Sequence, residues 1–291
     1  GQSLNAVYRS PGLAPDVIAP VADAARAIGL PVGGELDLFA AALQGMSQAH
    51  GYQPKLLAIT GTNGKTTVTS LTGKLLEHAG LNVGVAGNIG PTLLDTLSAR
   101  IDAQDLPQVW VLELSSFQLD GVQGFEPTAA VVLNVTQDHL DWHGSMDAYA
   151  AAKARIFGEH GLMVLNREDR TVMDMLPAPV KVKLQKPQQR AHISFGADLP
   201  RNPGDYGIEM VAGMAWLVRA LEVDQAGRRA RDPQEELHLQ RLLPADALRI
   251  RGRHNATNAL AALALAQAAG AALGPMLYGL REYRGEPHRV E

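Results

Sequence analysis

The chain has 291 residues, 46% of them hydrophobic and 19% charged, with a formal net charge of -4 from 26 basic and 30 acidic side chains. That much apolar material builds a large core and excludes an intrinsically disordered chain. The near-balanced charge gives no reason to expect a nucleic-acid or membrane-surface partner, and the lack of cysteine excludes disulfides and thiolate metal sites.

The length suggests about two domains. Gly1-Gln2-Ser3-Leu4-Asn5 carries no secretory pattern, and no apolar run reaches the ~20 residues that span a bilayer. A cytoplasmic protein is expected. Residues 4–8 are a short apolar stretch broken at Ser10-Pro11-Gly12. Residues 19–28 have helical spacing and stop at Gly29; 30–32 form a short strand candidate, and 35–46 an amphipathic helix. These one or two βα units are too small to bury a core alone.

From 56 to 166 the pattern alternates. Strands are expected at 56–60, 83–86, 109–114, 130–135 and 162–165, and helices at 65–79, 92–99 and 146–160. Several strands are continuous apolar runs, as in strands covered on both faces. The fold class is therefore α/β, a mostly parallel sheet with helices on both faces. Ligands then sit at the carboxyl ends of the strands. Residues 167–253 change character: Pro-rich stretches separate β-like runs at 192–195 and 210–218, with 214–218 as one arm of a hairpin. They suggest a small β-rich subdomain. The charged stretch 224–236 reads as a solvated loop without function. From Asn255 a helical pattern returns, with Gly270 as its stop.

The chemistry centres on residues 56–67, Leu-Leu-Ala-Ile-Thr-Gly-Thr-Asn-Gly-Lys-Thr-Thr. An apolar strand runs into a glycine-bounded turn and then a helix start, the order of a phosphate-cradling loop. Gly61, Thr62, Asn63 and Gly64 would supply amides, Lys65 would reach outer phosphates, and Thr66 could hold Mg2+. Ile59 stands where the full motif has glycine, so this is a shorter Gly-x-x-Gly-Lys-Thr form; the plain alternative is a turn that needs two glycines. Glu113 ends an apolar strand, either as a metal-holding acid or as a strand-end carboxylate. Ser115-Ser116-Phe117-Gln118 could line a polar site or cap the next helix. His139, after another strand end, reads as either a hard-metal ligand or an exposed histidine; His143 lacks such support. Lys153, from its helix alone, reads as a surface lysine. Gly87-Asn88-Ile89-Gly90 is a tight turn whose amide could bind substrate. Asn255 is an N-cap candidate, and Asn258 follows in the first turn.

Together these stretches resemble the Mur ligases, ATP-dependent amide ligases of peptidoglycan precursor synthesis. Gly-Thr-Asn-Gly-Lys-Thr-Thr matches the family's phosphate loop. Leu112-Glu113-Leu114-Ser115-Ser116-Phe117-Gln118-Leu119, Gly87-Asn88-Ile89-Gly90 and Asn134-Val135-Thr136-x-Asp138-His139 resemble its D-glutamate-adding branch. The likeness runs from about Ser10 to Arg289. It implies that Gly61 to Thr67 bind ATP phosphates, with Lys65 catalytic, and that Asn255, Asn258 and Arg289 face the rest of the nucleotide. It implies that Thr66, Glu113, His139 and Lys153 serve two Mg2+ ions, Lys153 as a carbamate, which reverses the surface reading. Ser10, Gly12, Asn88, Ser115 and Gln118 would touch the substrate, UDP-N-acetylmuramoyl-L-alanine, to which D-glutamate is joined through an acyl phosphate.

The family has three domains. By that resemblance, 1–47 corresponds to the last part of the nucleotide-sugar domain and a linker, 48–285 to the central ATP-binding domain, and 286–291 to the start of a linker. A monomer is expected that binds ATP but has little or no ligase activity as this chain alone. The stretch 222–248 is longer than the resemblance leads one to expect. Two other readings are a folylpolyglutamate-synthase-type relative, and a P-loop binding module without ligase chemistry.

Overall fold

Alternation within apolar runs decides which side of the central sheet each residue covers. The computed structural model describes residues 4–138, 140–181, 187–222 and 237–285. In chain order the strands and helices are β1 (Val7–Tyr8), α1 (Pro15–Ala27), β2 (Val32–Gly33), α2 (Glu35–His50), β3 (Lys55–Thr60), α3 (Lys65–His78), β4 (Val83–Gly87), α4 (Leu93–Asp102), β5 (Val109–Glu113), α5 (Ser116–Leu119), β6 (Ala129–Val132), α6 (Leu140–His143), α7 (Met146–Ala154), β7 (Leu162–Asn166), α8 (Arg170–Met173), β8 (His192–Phe195), β9 (Tyr206–Val211), β10 (Met214–Leu221), β11 (His238–Pro244), α9 (Arg253–Ala268) and α10 (Leu273–Glu282).

Nine of these strands form one sheet in the order β11-β10-β9-β8-β7-β6-β3-β5-β4. The pairs from β4 to β9 are parallel, and β9-β10-β11 is an antiparallel edge. Leu57, Ile59, Val109, Val111 and Val131 face one core with α3, α9 and α10. Their alternates Ala58, Trp110, Leu112, Ala130 and Val132 face the other, where α2, α4 and α7 pack. In that second core the Phe39 ring meets Trp110 edge-on at 5.3 Å, so α2 belongs to the packing of the main sheet. In α9, Ala259 to Ala266 are all buried, as expected of a helix apolar on every side.

The chain leaves β3 for β4 on one flank, then returns past β5 to β6 on the other. The carboxyl ends of β3, β5 and β6 therefore surround the point where strand order reverses, which is where open α/β sheets bind ligands.

Several expectations need correction. The β-rich stretch is no detached subdomain: β8 pairs with β7, and Phe195 pairs with Tyr206, so the edge continues the main sheet. The hairpin is present, turned by Ala212 and Gly213 with φ of 48° and 79°, the twist that two-residue hairpins favour. The strand expected at 130–135 ends at Val132 because Leu133 to Thr136 bend toward β3. The helix expected to 160 stops at Ala154 and tightens into a 3-10 turn, Arg155–Phe157; Gly158 follows at φ 56°. Arg190 donates to the carbonyls of Phe157, Gly158 and Gly161 there. The stretch 224–236 lies outside the described residues, as do His139 and Arg289.

Candidate active site

β3 delivers the chain into the loop at 61–64, and α3 begins at Lys65. Gly64 is the N-cap, with φ of 85°. A Cβ there would stand 3.0 Å from Asn258 Oδ1, and one at Gly61 would stand 2.9 Å from Leu133 Cβ. Both glycines therefore serve close approach as well as backbone freedom. The first-turn amides of α3 have no acceptor within the helix, and the dipole adds positive potential. Lys65 Nζ folds back to donate to Gly61 O at 2.8 Å and Thr62 O at 3.2 Å.

The loop is held from β6. Thr62 N donates to Asn134 O at 3.0 Å, and Asn63 N to Asn134 Oδ1 at 2.8 Å. Asn134 Nδ2 returns a bond to Asn63 O at 3.1 Å, and Thr136 N donates to Thr62 Oγ1 at 3.0 Å. With Thr62 and Asn63 amides committed to Asn134, anion-binding capacity concentrates at the helix start.

Glu113 ends β5 and is 2% exposed. Its Oε1 accepts from Thr66 Oγ1 at 3.3 Å. A hydroxyl beside a carboxylate at a helix start is a hard-oxygen donor set that fits Mg2+. Among the described residues no three His, Asp or Glu side chains gather.

Lys153 is buried, not on the surface as its helix alone suggests: it is 1% exposed. Its Nζ reaches Thr60 Oγ1 at 3.5 Å and lies 4.6 Å from the centre of the Tyr149 ring. Burial, followed by the charge of Lys65, lowers its pKa to about 7, with Asp138 opposing. Tyr149 OH lies 3.1 Å from Thr62 Oγ1, so α7 touches both the phosphate loop and the β3 end.

Asn255 is not the cap of α9. Gly252 is, at φ 98°, and Asn255 Nδ2 donates to Arg251 O at 2.8 Å. Asn258 donates to Asn255 Oδ1 at 3.3 Å and borders Gly64, so both amides flank the loop. Ser115 and Gln118 form a capping box at α5, with Ser115 N donating to Gln118 Oε1 and Gln118 N to Ser115 Oγ. Asn88 is exposed beside the same edge, its N–H bound to Glu113 O at 2.8 Å. Ser10 and Gly12 sit in the turn after β1.

Sequence reasoning assigns no role to four residues near the loop: Asn134, Thr136, Tyr149 and His143. His143 Nε2 lies 2.9 Å from Ser116 Oγ, and its ring is 5.3 Å from that of Tyr149. Asn134 had a signal, since it follows a strand end, but its partner is 71 positions away.

A family described as the Mur ligase middle domain matches residues 59–266. The chain belongs to the Mur ligase family. UDP-N-acetylmuramoylalanine--D-glutamate ligase of Albidiferax ferrireducens is 67% identical over 290 residues, which cover 100% of this chain and 57% of that protein. The protein of the same name from Polaromonas sp. is 56% identical over 377 residues, covering 100% of this chain and 64% of the relative. The Burkholderia pseudomallei one is 55% identical over 296 residues, covering 98% and 58%. The chain thus spans less than two thirds of these relatives' length. The solved UDP-N-acetylmuramoyl-L-alanyl-D-glutamate--2,6-diaminopimelate ligase shares the fold at TM-score 0.62 and 24% identity, over 94% of this chain and 58% of that one. UDP-N-acetylmuramate-alanine ligase from Thermotoga maritima does so at 0.54 and 23%, over 97% and 55%.

Proposed function

We propose that this chain is the ATP-handling part of a ligase that joins D-glutamate to UDP-N-acetylmuramoyl-L-alanine. The observation that carries this reading is the convergence of the phosphate loop, Glu113 and Lys153 on one strand-end crevice. The relatives of 55–67% identity bear that ligase's name. The γ-phosphoryl group of ATP passes to the L-alanine carboxylate, giving an acyl phosphate and ADP. The D-glutamate amine attacks the acyl carbon, loses a proton, and phosphate leaves.

Lys65 exchanges the Gly61 and Thr62 carbonyls for phosphate oxygens, and the α3 amides hold the transferring charge. Thr66, Glu113, His139 and a carbamylated Lys153 serve two Mg2+ ions. Bound Mg2+ supplies charge neutralisation for the phosphates. Asn255, Asn258 and Arg289 meet the rest of the nucleotide, while Ser10, Gly12, Asn88, Ser115 and Gln118 meet the muramoyl substrate. The domain boundaries near 47 and 285, a monomeric state, a cytoplasmic location and weak or absent ligase activity of this chain alone belong to the same reading.

The test is calorimetric titration of MgATP into this chain and into Lys65→Ala. Binding that Lys65→Ala abolishes supports the reading. Equal binding by both, or no binding even in the full-length polypeptide, sinks it.

A further inference from the structure

The 133–136 segment that clamps the phosphate loop is itself held from the far side. Asn166, the last residue of β7, donates from Nδ2 to Leu133 O at 2.8 Å. Asp169 Oδ2 accepts from Val135 N at 2.8 Å, while its Oδ1 caps α8 by accepting from Val172 N at 3.2 Å. Asn166 is set for this by its own Oδ1, which accepts from Glu168 N at 3.0 Å. Outward bonds at Leu133 and Val135 thus alternate with inward ones, from Asn134 and Thr136 to Thr62 and Asn63. Leu133 adds packing, since its side chain blocks any Cβ at Gly61 and lies 3.4 Å from one at Gly64.

We propose that Asn166 and Asp169 are positioning residues for the phosphate loop, acting through the 133–136 segment. Neither touches the loop, yet each fixes a peptide whose neighbour bonds to it. Past Val132 the segment keeps one ladder bond, Leu133 N to Thr60 O at 2.9 Å, and the Leu133 carbonyl and the Val135 amide are left to other partners. Side chains from β7's end supply those partners. The Glu168–Arg253 ion pair reaches α9 from the same turn, but its side chains are 36% and 73% exposed, and exposed pairs contribute little. The restraint therefore rests on the two hydrogen bonds from Asn166 and Asp169.

The inference rests on the phosphate-loop reading above, and the experiment separates the two. Asn166→Asp is isosteric and turns a donor into a second acceptor facing Leu133 O. Asp169→Asn is also isosteric and leaves one of two N–H groups facing an amide donor. Each variant and the parent chain are measured by amide hydrogen exchange and by titration with MgADP and with adenosine. In at least one folded variant, exchange at 62–64 is expected to rise about tenfold, with β5 amides unchanged. MgADP affinity is expected to fall about tenfold while adenosine affinity holds. Exchange at 62–64 that stays at the parent level in both variants, or rises equally in β5, overturns the proposal. So does an equal loss of MgADP and adenosine affinity. Failure of the parent chain to bind MgADP counts against the phosphate-loop reading instead, and the exchange pattern still decides the brace.

Discussion

The Nζ of Lys153 lies 4.6 Å from the centre of the Tyr149 ring, on a side chain that is only 1% exposed. Burial is the main reason its pKa falls from 10.5 to about 7, with Lys65 adding to the shift. Between about pH 7 and 10.5 the unfolded chain binds a proton that the native chain does not, so this group makes stability rise with pH across that window. Below it, the buried charge costs its full penalty. Lys153→Met is therefore expected to stabilise the fold at pH 6, by about 2 kcal/mol or more, and to give no such gain near pH 10. Denaturant unfolding at the two pH values checks this; an equal effect at both would show that the amine is not held neutral.

A lysine with a pKa of about 7 keeps a substantial neutral fraction near pH 7, and that form can react with carbon dioxide, which a protonated amine cannot. With 13C-labelled bicarbonate, the chain is expected to show a carbamate carbonyl resonance that Lys153→Met lacks. A spectrum unchanged by the substitution would rule out the carbamate at this position.

Glu113 and Thr66 meet at 3.3 Å across the β5 end and the α3 start. Glu113→Gln keeps the acceptor and removes the charge. It is expected to weaken Mg2+-nucleotide binding about tenfold and to leave metal-free nucleotide binding unchanged, since only the metal-bearing form needs the carboxylate. Titrations with excess Mg2+ and with chelator distinguish the two.

Gly87 and Gly90 separate steric need from backbone strain. Both have positive φ, 136° and 110°, but a Cβ at Gly87 would lie 2.0 Å from Glu113 O, whereas Gly90 faces open space. Gly87→Ala is expected to cost about 3 kcal/mol or more, and Gly90→Ala about 1 kcal/mol, by thermal unfolding. Comparable losses would mean that the β4–β5 contact yields.

Arg9 ties the β1–α1–β2 unit to the main body. It donates to Asp120 Oδ2 at 2.7 Å and Asp120 O at 2.8 Å, with side-chain exposure of 11% for the arginine. Arg9→Ala is expected to raise amide exchange across 7–33 and to cost about 1–2 kcal/mol. MgATP affinity should stay at the parent value, because the latch lies outside the phosphate loop. A large drop in that affinity would show that the unit shapes the nucleotide site.

The sequence by itself determined what depends on neighbours along the chain. Gly61 to Thr67 declares its loop because glycine spacing and a helix start are local chemistry. The continuous apolar runs at 56–60 and 109–113 declare a sheet covered on both faces. Ser115 and Gln118 declare their capping box at a spacing of three. The tertiary structure alone decided what depends on strand order. Lys153 becomes a buried amine because α7 lies against the β3 end, and its helix carries no sign of that. Asn134 becomes the clamp of the phosphate loop because β6 lands beside β3, 71 positions away. Asn255 lost its capping role because Gly252, with its positive φ, starts the helix earlier. Local periodicity records which side chains are apolar and how often; it does not record which strand ends become neighbours, and the site is built from those neighbours.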